Sequence, residues 1–152
     1  MKTLGIRAKP TEVTFIVYDS AQSEIINNEI IKIPNALSIP EGLKYLRNHI
    51  LDILREYGIE RAGIRITESN SDNKNIRRIQ IEGVIQEAFA SSNLKAYYCG
   101  QISSISPRVG IEREQFKTYV DGEKEFAQVE NWSSLKKEAK EATLAALGAV
   151  ND

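Results

Sequence analysis

Between Glu12 and Asp19 the chain carries apolar or aromatic side chains at both parities of a strand. Val13, Phe15 and Val17 lie on one face, Thr14, Ile16 and Tyr18 on the other. A strand that is apolar on both faces belongs inside a sheet rather than at its edge. Its neighbours in sequence read the same way. Lys2 to Arg7 alternates Leu4 and Ile6, and Glu24 to Ile33 is a third run ending at Pro34. The breaks at Lys9-Pro10-Thr11 and Ala21-Gln22-Ser23 are hairpin-sized, so the three strands are expected to be antiparallel neighbours.

The period then changes. Ser38-Ile39-Pro40-Glu41 has the spacing of a capping box, with proline in the first turn, where its missing N–H costs nothing. Leu43, Leu46, Ile50, Ile53, Leu54 and Tyr57 follow a 3.6-residue period, and Gly58 is a suitable stop. Arg61 to Thr67 predicts a fourth strand and Lys95 to Gln101 a fifth. Between them lies a helix from about Asn75 to Ser91, burying Ile81, Val84, Ile85, Ala88 and Phe89. Gly83 costs that helix roughly 1 kcal/mol relative to alanine, which predicts close backbone packing against a strand. In 102–131, Ser106-Pro107-Arg108 resembles a turn and Phe116–Val120 a weak strand. Ser133 to Val150 predicts an alanine-rich helix lying close to the sheet. The order of three strands, helix, strand, helix, strand, helix predicts one α/β domain over 1–152. Its architecture is a mixed five-stranded sheet with helices on both faces.

Apolar residues are 41% and charged residues 27% of 152, enough apolar content for a sizeable core. No apolar run reaches the roughly 20 residues of a membrane helix, and Met1 to Arg7 carries no signal-peptide stretch, so the expected location is cytoplasmic. Cys99 is the sole cysteine and His49 the sole histidine, which excludes an internal disulfide and a multi-cysteine zinc site. Cys99 is expected to be an inert core thiol and His49 a helix-flank residue. Ser103, Ser104 and Ser106 have no histidine motif beside them, and no Gly-rich phosphate loop occurs. The 20 basic residues against 21 acidic argue against a constitutive nucleic-acid binder. Five cations do cluster between Arg61 and Arg78 against Glu68 and Asp72.

This order, with these local sequences, resembles the ribonuclease H-like superfamily, and within it the RuvC-type Holliday-junction resolvases, including small members with a degenerate active site. Leu4-Gly5-Ile6-Arg7 is similar to a first strand that in the family reads Leu-Gly-Ile-Asp. Ala62-Gly63-Ile64-Arg65 resembles the fourth strand, whose end carries a glutamate in the family. Gly83-Val84 through Leu94 resembles the following helix and fifth strand, and Glu138-Ala139-Lys140-Glu141-Ala142 the acidic start of the last helix. The resemblance covers roughly 1–101 and 133–150.

It implies a site at which hard oxygen ligands hold two divalent ions, Mg²⁺ or Mn²⁺, about 4 Å apart over a phosphodiester. Here arginine stands at both strand-end positions, and a guanidinium has no free lone pair for a metal. Glu138 and Glu141 stay acidic; helical spacing puts Glu138 at the edge of the apolar face and Glu141 nearer solvent. Two arrangements suit these residues. Arg7, with Arg65, takes over the charge role of the ions and pairs with Glu138 or Glu141; or all four are ordinary surface charges. Neither holds metal.

The expectation is a catalytically degenerate domain that needs no cofactor. It would act as a non-enzymatic binding or interaction protein toward a protein partner or its own copy. A second reading is nucleic-acid binding without cleavage through Arg61, Lys74, Arg77, Arg78 and Arg108. A third, less favoured, is a metal-dependent nuclease using Glu68, Glu138 and Glu141.

Overall fold

In the computed structural model, which describes residues 1–152, the strands are β1 (Lys2–Ala8), β2 (Glu12–Asp19), β3 (Glu24–Lys32), β4 (Arg61–Arg65) and β5 (Ala96–Gly100). The helices are α1 (Ile39–Glu56), α2 (Ile76–Ala90), α3 (Ile102–Arg108), α4 (Phe116–Val120) and α5 (Lys137–Val150). The sheet order is β3-β2-β1-β4-β5. β2 is antiparallel to both β1 and β3, while β4 is parallel to β1 and to β5. β2 is therefore internal, as its two apolar faces require, and it is the one strand running against the other four.

The pleat sorts side chains into two cores. Leu4, Ile6, Phe15, Val17, Ala62 and Ile64 join α1 and α2 on one face. Ile16, Tyr18 and Tyr98 join α3, α4 and α5 on the other. α5 lies against β1 and β4 with almost no side chain between. A Cβ on Gly5 would sit 1.8 Å from the Ala142 carbonyl oxygen, and one on Gly63 would sit 2.7 Å from that of Ala145. Thr3 Oγ1 donates to the Ala146 carbonyl at 2.9 Å. Glycine at 5 and 63, facing alanines, is what lets the helix axis come so near.

Three local expectations are corrected. Ser106-Pro107-Arg108 is not a turn but the end of α3. Pro107 leaves the Ser103 carbonyl without its helical donor, and the turn is held instead by what it covers, with Ile102, Ile105 and Ser106 buried beneath it. Phe116–Val120 is helical, not extended: the four-residue spacing puts both ends on one buried face, overriding strand propensity. The segment before the last helix, Trp132–Ser134, is a 3₁₀ turn, and α5 begins at Lys137 rather than Ser133.

Gly83 is a fourth correction. It is exposed, and a Cβ placed on it meets nothing within 4 Å, so no strand of this chain accounts for its conformational cost.

Since β1, β3, β4 and β5 point the same way, α1, α2 and α3 all begin at the carboxyl end of the sheet. α5 starts there too, because Glu141 meets the last residues of β1 and β4, while the Arg61 Nη1 at the start of β4 donates to the Val150 carbonyl. Ser38 and Glu41 form the expected capping box, and Asn75 caps α2 through the Arg78 amide. Four positive helix ends thus gather at one edge of the sheet.

Candidate functional site

Arg7 and Arg65 occupy matching positions at the ends of β1 and β4, where they are register partners. By the pleat that puts Gly5 and Gly63 under α5, both side chains face the first turns of that helix. Glu141 lies between them. Its Oε2 is 3.3 Å from Arg7 Nε and 3.2 Å from Arg65 Nε. The side chains are 12%, 7% and 7% exposed for Arg7, Arg65 and Glu141, so water does little to screen them.

The cluster has further members. Arg65 Nη1 is 2.8 Å from Glu68 Oε2, and that oxygen also accepts from the Ile102 amide, the first of α3, at 3.0 Å. Arg7 Nη1 donates to the Arg65 carbonyl at 3.1 Å. The Phe116 ring lies 5.6 Å from the Arg65 guanidinium carbon, within cation–π range. Arg65 Nε lacks hydrogen-bond geometry to any acceptor, so its contact with Glu141 is one of charge rather than of a directed bond. Burial, then the like charge of Arg7, pushes the pKa of Arg65 down, while Glu141, Glu68 and Glu82 pull it back up. It remains a cation, because guanidinium starts so high.

Two positive and two negative charges balance inside the cluster. Glu82, 4% exposed, stands beside it and accepts from the Thr67 amide at 3.0 Å and the Thr67 hydroxyl at 2.8 Å.

Glu138 is not part of this group. It is 29% exposed and 3.8 Å from Lys9 Nζ, whereas Glu141 is buried. The expected order of burial is therefore reversed. The wheel assumes one wet face, but α5 is sandwiched: Ala139 to Ala149 are all buried, with the sheet on one side and Phe116, Val120, Phe126 and Trp132 on the other. Glu138, one turn earlier, lies where that cover ends. Glu68, Glu138 and Glu141 do not converge, and no group of three His, Cys, Asp or Glu side chains is placed to hold an ion.

The donor set therefore does not fit a two-metal site. Each strand end offers a guanidinium, and the carboxylate that could face an ion is occupied from both sides by cations.

The five arginines and lysines expected to share a nucleic-acid surface do not do so. Lys74, Arg77 and Arg78 lie at the carboxyl end, near the start of α2. Arg61 and Arg108 are at the opposite end, tied to the end of α5. Arg61 Nη1 donates to the carbonyls of Val150 and Asp152, and Arg108 Nη2 is 3.0 Å from Asp152 Oδ1 while its guanidinium stacks on Tyr98 at 4.1 Å. The linear charge cluster misleads because β4 carries Arg61 and Arg65 to opposite edges of the sheet. His49 sits half-buried on α1, edge-on to Tyr45. The Cys99 thiol is half-buried and its pKa is raised, chiefly by burial. Ser104 accepts from Arg108, and Ser106 donates to the Ile102 carbonyl.

Glu82 and Phe116 join the site without being marked by the sequence. For Glu82 a signal exists: it is three residues before Ile85 and seven before Phe89, on the same helical stripe as the core. For Phe116 there is none, since its contact with Arg65 crosses between elements far apart in sequence.

The sheet order, the single antiparallel internal strand and helices on both faces define a ribonuclease H-like fold. Within that class the arrangement is of the RuvC type, as solved structures bear out. The chain superposes on Thermus thermophilus RuvC in complex with a Holliday junction substrate with a TM-score of 0.70 at 13% identity, over 97% of this chain and 92% of that one. A second Thermus thermophilus RuvC structure matches with a TM-score of 0.67 at 14% identity, with the same coverage. The yeast mitochondrial Holliday junction resolvase Ydc2 matches at 0.55 and 15%, over 96% of this chain and 76% of that one. No protein-family model and no curated protein matches the sequence. No helix is long and apolar enough to cross a membrane.

Proposed function

We propose that this chain is a one-domain protein of RuvC-type fold that has exchanged metal-dependent strand cleavage for an internal ion-pair cluster, and that it works by binding as a non-enzymatic interaction protein. One observation carries the reading: the Glu141 carboxylate lies between the guanidinium groups of Arg7 and Arg65. A divalent cation entering there would have to displace two cations from one carboxylate and stand beside both.

The test has two parts. The 152-residue chain is incubated with Mg²⁺ or Mn²⁺ and with labelled four-way junction, duplex and single-stranded DNA, and metal binding is followed by titration calorimetry. Neither stoichiometric binding nor metal-dependent cutting is expected. Cutting by the native chain that Glu141→Gln abolishes overturns the proposal.

A second reading, nucleic-acid binding without cleavage, is favoured by the exposed cations at the carboxyl edge. Lys74 stands before α2, and Arg113 and Lys117 line a cleft of about 330 Å³ with Glu68 and Glu114. If this edge meets phosphates, fluorescence anisotropy will show affinity falling log-linearly with salt. Binding that is undetectable or ignores salt rejects this reading.

A further inference from the structure

β3 is the longest strand of the sheet, and it stands at one end of the strand order, so one of its two sides has no neighbour. Just beyond it the Ile33 amide donates to the Thr11 carbonyl at 3.1 Å, which fixes the residues that bond inward. Bonding alternates along an antiparallel pair, so Ile31, Glu29 and Asn27 turn their amides and carbonyls toward β2. Asn28, Ile30 and Lys32 turn theirs away, and no loop or side chain takes them up. Amide and carbonyl pairs therefore face outward at intervals of about 7 Å.

A bare edge of this kind is a template for another strand, and proteins ordinarily blunt it. Here the blunting is confined to the ends. The register shift opposite Val17 and Tyr18 bulges the strand at Ile26, and Lys32 closes the other end, so the middle stays open. β5, at the opposite edge of the sheet, is only five residues long.

The side chains say what kind of strand the edge takes. Ile30 is 42% exposed and Ile26 37%, on a strand whose outer positions are otherwise polar. Ile30 and Asn28 form one wall of a cleft of about 210 Å³ whose far wall is the start of α5, at Glu138 and Ala139. Residues laid opposite Asn28 and Ile30 put their side chains on that same face, beside Ile30 and the mouth of the cleft. Charge completes the pattern. Lys32 lies opposite Glu12 and so has an acid across from it in β2. Glu29 lies opposite Phe15 and Glu24 opposite Asp19, so neither faces a cation. Opposite charges stabilise cross-strand neighbours and like charges do the reverse, so the open stretch lacks positive charge at Glu29.

We infer that the β3 edge binds an extended segment of a partner protein as an added antiparallel strand, with a lysine or arginine facing Glu29 between two β-branched or aromatic residues facing Asn28 and Ile30. Main-chain hydrogen bonds hold such a segment, and its alternate side chains select it. The edge contains none of Arg7, Arg65 and Glu141, so it stands whether or not that cluster excludes metal.

Fluorescence anisotropy with the full chain tests it, using the labelled, end-blocked peptide Ser-Thr-Val-Lys-Val-Thr-Ser in about 0.15 M salt, where loose charge attraction is screened. Saturable binding is expected. Glutamate in place of the peptide's lysine should weaken it at least tenfold, and N-methylation of both valines, whose amides face the edge, should abolish it. Glu29→Lys should reverse the preference, so that the glutamate peptide binds at least tenfold better than the lysine peptide, with circular dichroism unchanged. Ile30→Pro should end binding of both, because it removes an outward amide that β2 does not use, at a place where an edge strand accepts proline. If that variant fails to fold, the N-methylated peptide asks the same question of the native chain. No binding of any peptide overturns the inference, as does equal binding of the plain and N-methylated forms or a preference that Glu29→Lys leaves unchanged. So does a dimer in sedimentation velocity that Ile30→Pro dissolves, since a second copy would then occupy the edge.

Discussion

Replacing Glu141 by glutamine removes one negative charge from between the buried Arg65 and the largely buried Arg7 while keeping the side chain's shape. Each guanidinium contact is 3.2 to 3.3 Å long. At an effective dielectric of about 20, each is a gross attraction of about 5 kcal/mol, most of which offsets the desolvation of the three groups. The net worth of the cluster is therefore small, but breaking it is costly, about 3–5 kcal/mol for losing one partner of a buried pair. Glutamine retains an acceptor, Arg65 retains Glu68, and Arg7 retains the Arg65 carbonyl, so the lower end, about 3 kcal/mol, is expected. For a chain of this length that lowers the melting temperature by about 6–12 °C. Urea unfolding followed by the single tryptophan, fully buried Trp132, measures it directly. The midpoint should fall with the slope unchanged. Glu138→Gln is the control: its carboxylate is partly exposed and 3.8 Å from Lys9, so less than about 1 kcal/mol should be lost. A Glu141→Gln chain within about 1 kcal/mol of native, or a Glu138→Gln chain that is the less stable of the two, would refute the reasoning.

Replacing the pair together, Arg7→Met with Glu141→Leu, should recover most of that loss, because no buried charge is left unpaired; a double variant weaker than Glu141→Gln in the same urea assay contradicts this. Gly5→Ala should cost about 3 kcal/mol or prevent folding, since its Cβ would overlap the Ala142 carbonyl; a normal melting curve counts against the close approach of α5. The buried Tyr98 hydroxyl donates to the Ala145 carbonyl at 2.8 Å, and burial pushes its pKa upward. Its folded pKa exceeds the unfolded value near about 10, so below that pH it adds no pH dependence. Above it the unfolded chain ionises first and stability falls. Urea midpoints between about pH 8 and 11.5 should therefore drop less steeply for Tyr98→Phe than for the native chain, and parallel curves reject the assignment. Cys99, half-buried with its pKa raised, should react slowly with a thiol reagent until urea unfolds the chain; immediate labelling refutes that.

Much of the architecture can be read along the chain because local chemistry and final structure agree. The Ser38–Glu41 cap, the 3.6-residue stripe of α1 and the two-faced β2 each need only their own residues to be recognised, and each stands in the fold where those residues place it. The region 102–135 cannot be read this way. α3 and α4 are held less by propensity than by what they cover: Ile105 packs on the bare backbone of Gly100, and Phe116 lies under Arg65. The site divides in the same way. That arginine stands at the ends of β1 and β4 is a fact of sequence. That Glu141 rather than Glu138 meets both guanidinium groups depends on a second layer over α5, contributed by side chains that no helical wheel contains.

What the amino acids determined unaided was the order of elements and the presence of arginine at two strand ends, because periodicity, capping and residue type act over a few positions. What the folded chain decided was the partnering of charges and the two sides of α2. A carboxylate's environment is set by whichever distant segments close over it, and an exposed glycine has meaning only once the space beside it is known.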